Sequence, residues 1–267
     1  MARVKPIFTV TILIALATLP LCAKAQLQQE SEPALATPLE SLRADMRADQ
    51  IVRELLEHNE MRKTALVEYT ALRTYQVSDF KGKLRAEEIG RMEFHAPDKK
   101  TFVVASESGS GLIRHMALHP LISSEIETAA GKEHYDSNIT PENYTFTLLG
   151  EQRVGAYRCF VMQAAPRRKD KYLFKGKLWI DVQDYAVVRI EGQPAKKLSF
   201  WIERADFVRQ YQKIGKFWLP QRDETSVQVR LYGKKVLTID HQDYVVNGAS
   251  EEASTPAPES GSLLRSE

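Results

Sequence analysis

His115 and His119 come nearest, in type and spacing, to a reactive or metal-binding motif. Their i, i+4 spacing would place both imidazoles on one face of a helix, where such a pair can bind a metal ion. No Glu follows the first histidine as a metalloprotease requires, and Pro120 adjoins the second. Glu125 or Glu127 would have to supply a third ligand. We therefore interpret the pair as polar surface and predict neither a metal nor another cofactor.

Other catalytic patterns do not occur in the sequence. Ser106-Glu107-Ser108-Gly109 and Ser108-Gly109-Ser110-Gly111 lack the Gly-x-Ser-x-Gly order of a nucleophile elbow. Asp240 and His241 are adjacent on a predicted strand, so their side chains point to opposite faces and cannot act together locally. There is no phosphate-binding loop and no dinucleotide fingerprint. We predict that the protein is not an enzyme.

Arg73 lies in the middle of a segment rich in aromatic and β-branched residues. On a regular strand it shares a face with Tyr69, Ala71 and Tyr75. A guanidinium on an inward face is costly unless it meets an acceptor, which could be a ligand carbonyl or phosphate. Alternatively, Arg73 faces water or pairs with a carboxylate. The carboxylates considered for pairing are those of Glu68, Glu88 and Glu93. We include Tyr69, Arg73 and Tyr75 in the predicted ligand site.

The insert, residues 109–130, is unusually apolar for a connection between two elements. Gly109 and Gly111 supply a flexible start and Pro120 divides the segment, so we expect two short helices or one broken helix. Its aliphatic side chains exceed what one side of a short helix needs for attachment. We therefore predict a lid whose side chains line an apolar ligand cavity. The predicted lid residues are Leu112, Ile113, Met116, Leu118, Leu121 and Ile122.

The first 25 residues have the pattern of a secretory signal peptide. A positively charged start precedes an apolar run over residues 7–21, and Ala23-Lys24-Ala25 gives a small-x-small end. The apolar run is shorter than the roughly 20 residues that span a membrane. We expect cleavage after Ala25 and export to the periplasm. The alternatives are an uncleaved N-terminal anchor and lipidation of Cys22.

Composition predicts one folded domain and no nucleic-acid partner. The chain has 37 basic and 35 acidic residues, and its densest basic tract, Arg167 to Lys171, is interpreted as a solvated turn. We predict that residues 26–40 are a flexible segment and residues 247–267 a disordered tail, because their small, polar and Pro-bearing sequences leave little to bury. The predicted domain is residues 41–246.

The domain is predicted to begin with an amphipathic helix over residues 41–63, which contain neither Gly nor Pro. Its apolar face is predicted to include Leu42, Met46, Ile51 and Leu55. About ten strands follow, most joined by short turns. One of these turns is predicted at Gly150-Glu151, between a strand over residues 144–149 and a strand over residues 153–164. Short turns require antiparallel pairing, because parallel strands need long crossovers. The predicted fold is mainly β with few helices (α+β). A single antiparallel sheet curls into an unclosed half-barrel, with an N-terminal helix and a short helical lid insert.

Three local motifs accompany this order of elements. They are Tyr69-Thr70-Ala71-Leu72-Arg73, Leu178-Trp179-Ile180-Asp181 followed by Val188-Arg189-Ile190-Glu191, and Lys216-Phe217-Trp218-Leu219-Pro220. Over about residues 41–246, the chain resembles the LolA/LolB-like superfamily of outer-membrane lipoprotein-sorting, or lipoprotein carrier, proteins. That resemblance implies an unclosed barrel with a helical lid that binds apolar ligands.

The resemblance also implies a function in the cell envelope. We expect a non-catalytic periplasmic binding or carrier protein for lipid or an acylated lipoprotein. The alternative is a regulatory or sensor module of the same fold, whose partner would be an envelope membrane protein. A carrier would copurify with acyl chains and a sensor with a membrane protein. The long polar tail departs from the compact carriers of the family, and the missing lipidation Cys departs from its receptors.

Overall fold

The computed structural model describes a helix, an open β-sheet and a helical insert. The described residues are 38–130, 138–170, 172–197, 200, 202–231 and 233–250. The predicted signal peptide lies outside them, as do most of the predicted flexible segment and most of the predicted tail. Within the described residues, no helix is both long enough and apolar enough to cross a membrane.

Helix α1 (Pro38–Ala65) precedes the sheet. Its only proline is at the first position, where the missing N–H has no helical partner to lose. Arg62 and Lys63 in the last turn favour the negative end of the helix dipole. The buried face repeats at i, i+3, i+4 and i+7 through Ala48, Ile51, Val52 and Leu55. Met46, which was assigned to this face, is 65% exposed, so that assignment is wrong.

All strands belong to one antiparallel sheet in the order β3-β2-β1-β10-β9-β8-β7-β6-β5-β4, and β11 pairs with β10. The strands are β1 (Glu68–Asp79), β2 (Leu84–His95), β3 (Lys99–Gly109), β4 (Tyr144–Val154), β5 (Tyr157–Pro166), β6 (Phe174–Asp181), β7 (Val187–Pro194), β8 (Ile202–Ile214), β9 (Phe217–Val229), β10 (Gly233–Val246) and β11 (Ala249–Ser250). Strands β3 and β4 are the two edges, and no pairing between them is present in the described residues. The predicted unclosed half-barrel is therefore confirmed.

The connection between β4 and β5 differs from the sequence-based expectation. Gly150 was expected to end a strand, but β4 continues through it to Val154. The register shifts between Leu148 and Gly150, and Gly150 has a φ of 135°, so this residue forms a bulge in a longer strand. The chain turns at Gly155, where φ is 57°. A glycine fits both positions because each has a backbone angle that side chains disfavour.

The insert is one broken helix, the second of the two predicted forms. It consists of α2 (Gly111–Ile113), a π-helical turn (Arg114–Leu118) and α3 (His119–Ala130). Proline lacks an N–H, and in a regular α-helix the ring of Pro120 would collide with the carbonyl four residues earlier. The wider π-turn directly before Pro120 relieves this conflict, with the His119 N–H donating to the Arg114 carbonyl.

Candidate functional site

The helices pack on one face of the sheet, here called the inner face and defined by a row of cross-strand partners. From the β4 edge to the β3 edge this row is Leu148, Met162, Leu178, Ile190, Arg209, Asp223, Ile239, Tyr75, Glu88 and Glu107. Directly paired residues point to the same face, so this row crosses the inner face from one edge strand of the sheet to the other. It is apolar at the β4 edge, charged at β8 and β9, and acidic at the β3 edge.

Two apolar clusters cover different parts of this face. The α1 cluster joins α1 to strands β4–β7, and the insert cluster joins the insert to strands β1, β2 and β10. Buried members of the α1 cluster include Ile51, Val52, Leu55, Phe160, Met162, Leu178 and Ile190. Buried members of the insert cluster are Tyr75, Val77, Ala86, Leu118, Ile122 and Ile239. The charged part of the row, Arg209 and Asp223, lies between them along the sheet.

Arg73 shares a face of β1 with Tyr69 and Tyr75, as the alternation predicted, and this face is the buried inner one. The acceptor of Arg73 is Glu125 of α3. Nη1 of Arg73 donates to both carboxylate oxygens of Glu125 at 2.6 Å, and Nζ of Lys100 donates to Oε1 at 3.1 Å. The hydroxyls of Tyr75 and Tyr69 accept from Arg73 at 3.3 and 3.5 Å. None of the three carboxylates considered from the sequence is this partner. The Arg73 network therefore connects the insert to β1 and β3.

The Arg73 network is ionised at neutral pH. Burial alone would raise the pKa of Glu125, but Arg73 and Lys100 outweigh it and lower that pKa to about 2. Burial opposes the charge of Arg73, yet Glu125 raises its pKa above the ordinary value. Burial raises the pKa of Tyr75, so its hydroxyl stays protonated and neutral. The insert is thus held to the sheet by a charged pair.

Several buried polar atoms near this network have no hydrogen-bond partner in the described structure. They are Nε of Arg73, both ring nitrogens of His241 and Oε2 of Glu88. His241 is the direct cross-strand partner of Arg73. Its Nε2 lies 3.4 Å from Oδ2 of Asp223, whose other oxygen lies 3.4 Å from Nε of Arg209. An unpaired buried donor or acceptor costs about 1–3 kcal/mol, so this group of atoms requires an explanation.

The predicted lid residues divide between the interior and the surface. Leu118 and Ile122 are buried in the insert cluster, and Ile113 and Leu121 pack partly buried against it. Leu112 and Met116 are 68% and 71% exposed. Tyr69, Arg73 and Tyr75 are all buried on the inner face. The structure therefore brings most of the predicted site together and leaves two apolar side chains of the insert in solvent.

Sequence reasoning missed the polar partners of this site. They are Lys100, Glu125, Arg209, Asp223 and His241. Each lies on a different element from Arg73, and local periodicity does not report such pairings. The available signal was Glu125, one of two carboxylates in the largely apolar insert.

Gly109 is required by close packing at the start of the insert. Its φ is 73°, and a Cβ there would lie 2.5 Å from the carbonyl oxygen of Arg85. Ser110 follows as the N-cap, its hydroxyl oxygen accepting from the N–H of Ile113 at 3.4 Å. The backbone at this point is therefore closely packed and capped, whereas the sequence had suggested a flexible start.

A separate open pocket of about 390 Å³ lies at the C-terminal end of α1. Its lining includes His58, Met61, Arg62, Asp184 and Lys213. Arg62 donates to the carbonyls of Asp184 and Tyr185 at 2.8 and 3.0 Å, and Nζ of Lys213 pairs with Asp184 at 2.6 Å. These cations already have acceptors, and none of the predicted site residues lines this pocket.

Comparison with known proteins gives structural matches only. No family model and no curated protein matches the sequence. A DUF1329 family protein from Desulfovibrio piger matches at a TM-score of 0.41 and 10% identity, covering 75% of this chain and 93% of that chain. A domain assigned to outer membrane lipoprotein sorting in Vibrio parahaemolyticus matches at a TM-score of 0.41 and 14% identity, covering 78% and 95%.

A LolA superfamily protein from Nitrosomonas europaea also matches, at a TM-score of 0.36 and 11% identity, covering 72% of this chain and 92% of that chain. At such identities and TM-scores, the roles of individual residues rest on the geometry of this chain alone.

Proposed function

We propose that the protein is a non-catalytic periplasmic binding or carrier protein for an amphiphilic ligand, either a lipid or an acylated lipoprotein. One observation supports this most: buried polar groups with unpaired nitrogens, on Arg73 and His241, lie on the same face as two apolar clusters. An amphiphile has a polar part and an apolar part that match these two kinds of surface. Its carbonyl or phosphate oxygens can accept from the nitrogens, and its acyl chains can contact apolar side chains.

Ligand entry requires the insert to move. Leu118 and Ile122 occupy the space above Tyr75 and Ile239 in this conformation. An acyl chain would take their place, so that apolar surface stays covered when the insert lifts. Lifting also separates Glu125 from Arg73, which frees the guanidinium for an oxygen of the ligand. The exposed Leu112 and Met116 would then contact the chain.

The test is binding of a fluorescent fatty acid to the exported protein and to a Leu112→Ser/Met116→Ser variant. Burial of one such side chain against ligand contributes roughly 1.5–3 kcal/mol. Loss of both should weaken binding at least tenfold, since about 1.4 kcal/mol corresponds to a factor of ten. Because both side chains are exposed, the variant should fold normally.

A matched control removes one exposed Met and one exposed Leu from the α1 half, as Met46→Ser/Leu149→Ser. Its affinity for the probe should equal that of the wild type. A wild type that binds no fatty acid, or a control as weak as the test variant, would overturn the proposal. If mass spectrometry of the protein purified from the periplasm finds an envelope membrane protein and no lipid, the sensor module is the better description.

A further inference from the structure

A second group of potential ligand atoms lies at the acidic end of the inner-face row. Glu88 of β2 and Glu107 of β3 are direct cross-strand partners, so both point toward the insert. Nε2 of His119, the first residue of α3, lies 3.3 Å from Oε2 of Glu88 and 3.6 Å from Oε1 of Glu107. One ligand atom from each of the three residues falls within 4.8 Å of the other two.

Glu88 shows that this group is more than a patch of surface charge. Its side chain is only 3% exposed, and its Oε2 has no hydrogen-bond partner in the described structure. A buried carboxylate oxygen directed at an imidazole and a second carboxylate is suited to a cation.

We propose that Glu88, Glu107 and His119 bind one divalent transition-metal ion, with zinc as the best match. Zinc bonds to oxygen and nitrogen are about 2.0–2.2 Å long, which places neighbouring ligand atoms of a tetrahedron about 3.3–3.6 Å apart. The two distances from Nε2 of His119 already lie close to that spacing. Two carboxylates neutralise the charge of the ion, and the imidazole favours zinc over calcium or magnesium.

The surroundings orient the ligands and leave a coordination position open. Nη2 of Arg114 lies 3.3 Å from Oε2 of Glu107, which leaves Oε1 of that carboxylate directed at His119. His119 is 45% exposed, so water can supply a fourth ligand. His115 is the other available donor, with its ring centroid 6.1 Å from that of His119. The guanidinium of Arg114 is the charge that opposes a cation here.

The bound ion would connect β2, β3 and α3, and would fasten the insert to the sheet independently of Arg73. The sequence led to the opposite expectation of no metal, because it offered only His115 and His119 as a pair. The carboxylates come from strands that precede the histidine by 12 and 31 residues, and only the sheet register brings them to it. This site does not depend on the proposed lipid binding.

Zinc titration of the chelator-treated full chain by calorimetry tests the proposal. The wild type should bind one zinc ion at a saturable site, and zinc should raise its thermal midpoint. His119→Gln should weaken binding at least tenfold and abolish the thermal shift, and Glu107→Gln should also weaken binding. Both substituted residues are exposed, so circular dichroism should remain native.

The matched control is His95→Gln, because His95 forms a comparable pair with Glu68 at 3.2 Å but is not part of a three-ligand group. This variant should bind zinc like the wild type. A wild type without a saturable zinc site would refute the proposal. Equal affinities for His119→Gln and the wild type would do the same, since binding would then occur elsewhere on the chain.

Discussion

The two helical covers of the inner face bury different kinds of surface. The α1 cover is apolar, with Leu55 and its neighbours packed against strands β4–β7. The insert cover has a smaller apolar cluster and adds a buried ion pair, Arg73–Glu125. Beside that pair lie polar atoms without partners, and Leu112 and Met116 remain in solvent.

Under the proposed function, this difference separates a structural cover, α1, from a cover that admits a ligand, the insert. The apolar packing of α1 contributes stability, and its polar contacts, such as those of Arg62 with the carbonyls of Asp184 and Tyr185, are satisfied within the protein. Unpaired buried nitrogens and exposed apolar side chains reduce stability, and proteins retain such groups where a ligand completes them. We therefore expect substitutions in α1 to change folding alone, and substitutions in the insert half to change folding and binding in separable ways.

The largest effect is expected for Leu55→Ala in α1. Leu55 is fully buried in the α1 cluster, and such truncations cost about 2–5 kcal/mol of unfolding free energy. Urea denaturation measures the loss, and fatty-acid affinity of the folded fraction should stay unchanged. Met46→Ala on the same helix is the control and should change stability by less than about 0.5 kcal/mol. A clear loss of fatty-acid affinity in folded Leu55→Ala would contradict the distinction between the two helical covers.

Glu125→Gln should have the next largest effect. It leaves Arg73 buried without its anionic partner, and breaking buried pairs costs about 3–5 kcal/mol. Because Glu125 is partly exposed, we expect the lower end of that range. An Arg73→Met/Glu125→Leu variant should lose less stability than Glu125→Gln in urea denaturation, since no unpaired charge remains. Equal losses of stability in the two variants would show that the unpaired charge of Arg73 is not the cause of the loss.

The contribution of the Arg73–Glu125 pair to the unfolding free energy should depend on pH. The folded-state pKa of Glu125 is lowered to about 2, below the unfolded value near 4.5. The stabilisation is therefore fully present above the unfolded pKa and is lost as pH falls through about 2. The stability difference between wild type and Glu125→Gln, measured in urea from pH 7 to pH 2, should stay constant down to about pH 5 and then shrink. A difference that grows toward low pH would contradict the ion pair.

His241→Leu is expected to have the smallest effect on stability, with the opposite sign. It removes two buried nitrogens that have no hydrogen-bond partner, so the unfolding free energy should rise by about 1 kcal/mol. Binding of the fluorescent fatty acid should weaken at the same time. A variant that is more stable and binds equally well would show that His241 does not meet the ligand.

Much of the fold follows from patterns that are local in the sequence. The alternation of β1 placed Tyr69, Arg73 and Tyr75 on one face, and short turns required an antiparallel sheet. A local pattern also gave a wrong expectation where the same residue type is compatible with two different structures. Gly150 suits a turn or a bulge equally, and only the register with β5 makes it a bulge. Met46 suits an apolar helix face, but it precedes Ala48 by two residues, which places it about 200° around the helix from Ala48 and so on the opposite, exposed side of α1.

The sequence by itself determined the half-barrel, the apolar insert and the shared face of Tyr69, Arg73 and Tyr75, because these depend on periodicity and on turn chemistry. The tertiary structure decided which charges meet. Glu125 reaches Arg73 across 52 residues, and His119 reaches Glu88 and Glu107 on two other strands. The energy of an ion pair or a ligand set depends on distances of a few ångströms between side chains. Sheet register and the position of the insert on the sheet set those distances, and the spacing of residues within one strand or helix does not report which side chains of other elements lie opposite it.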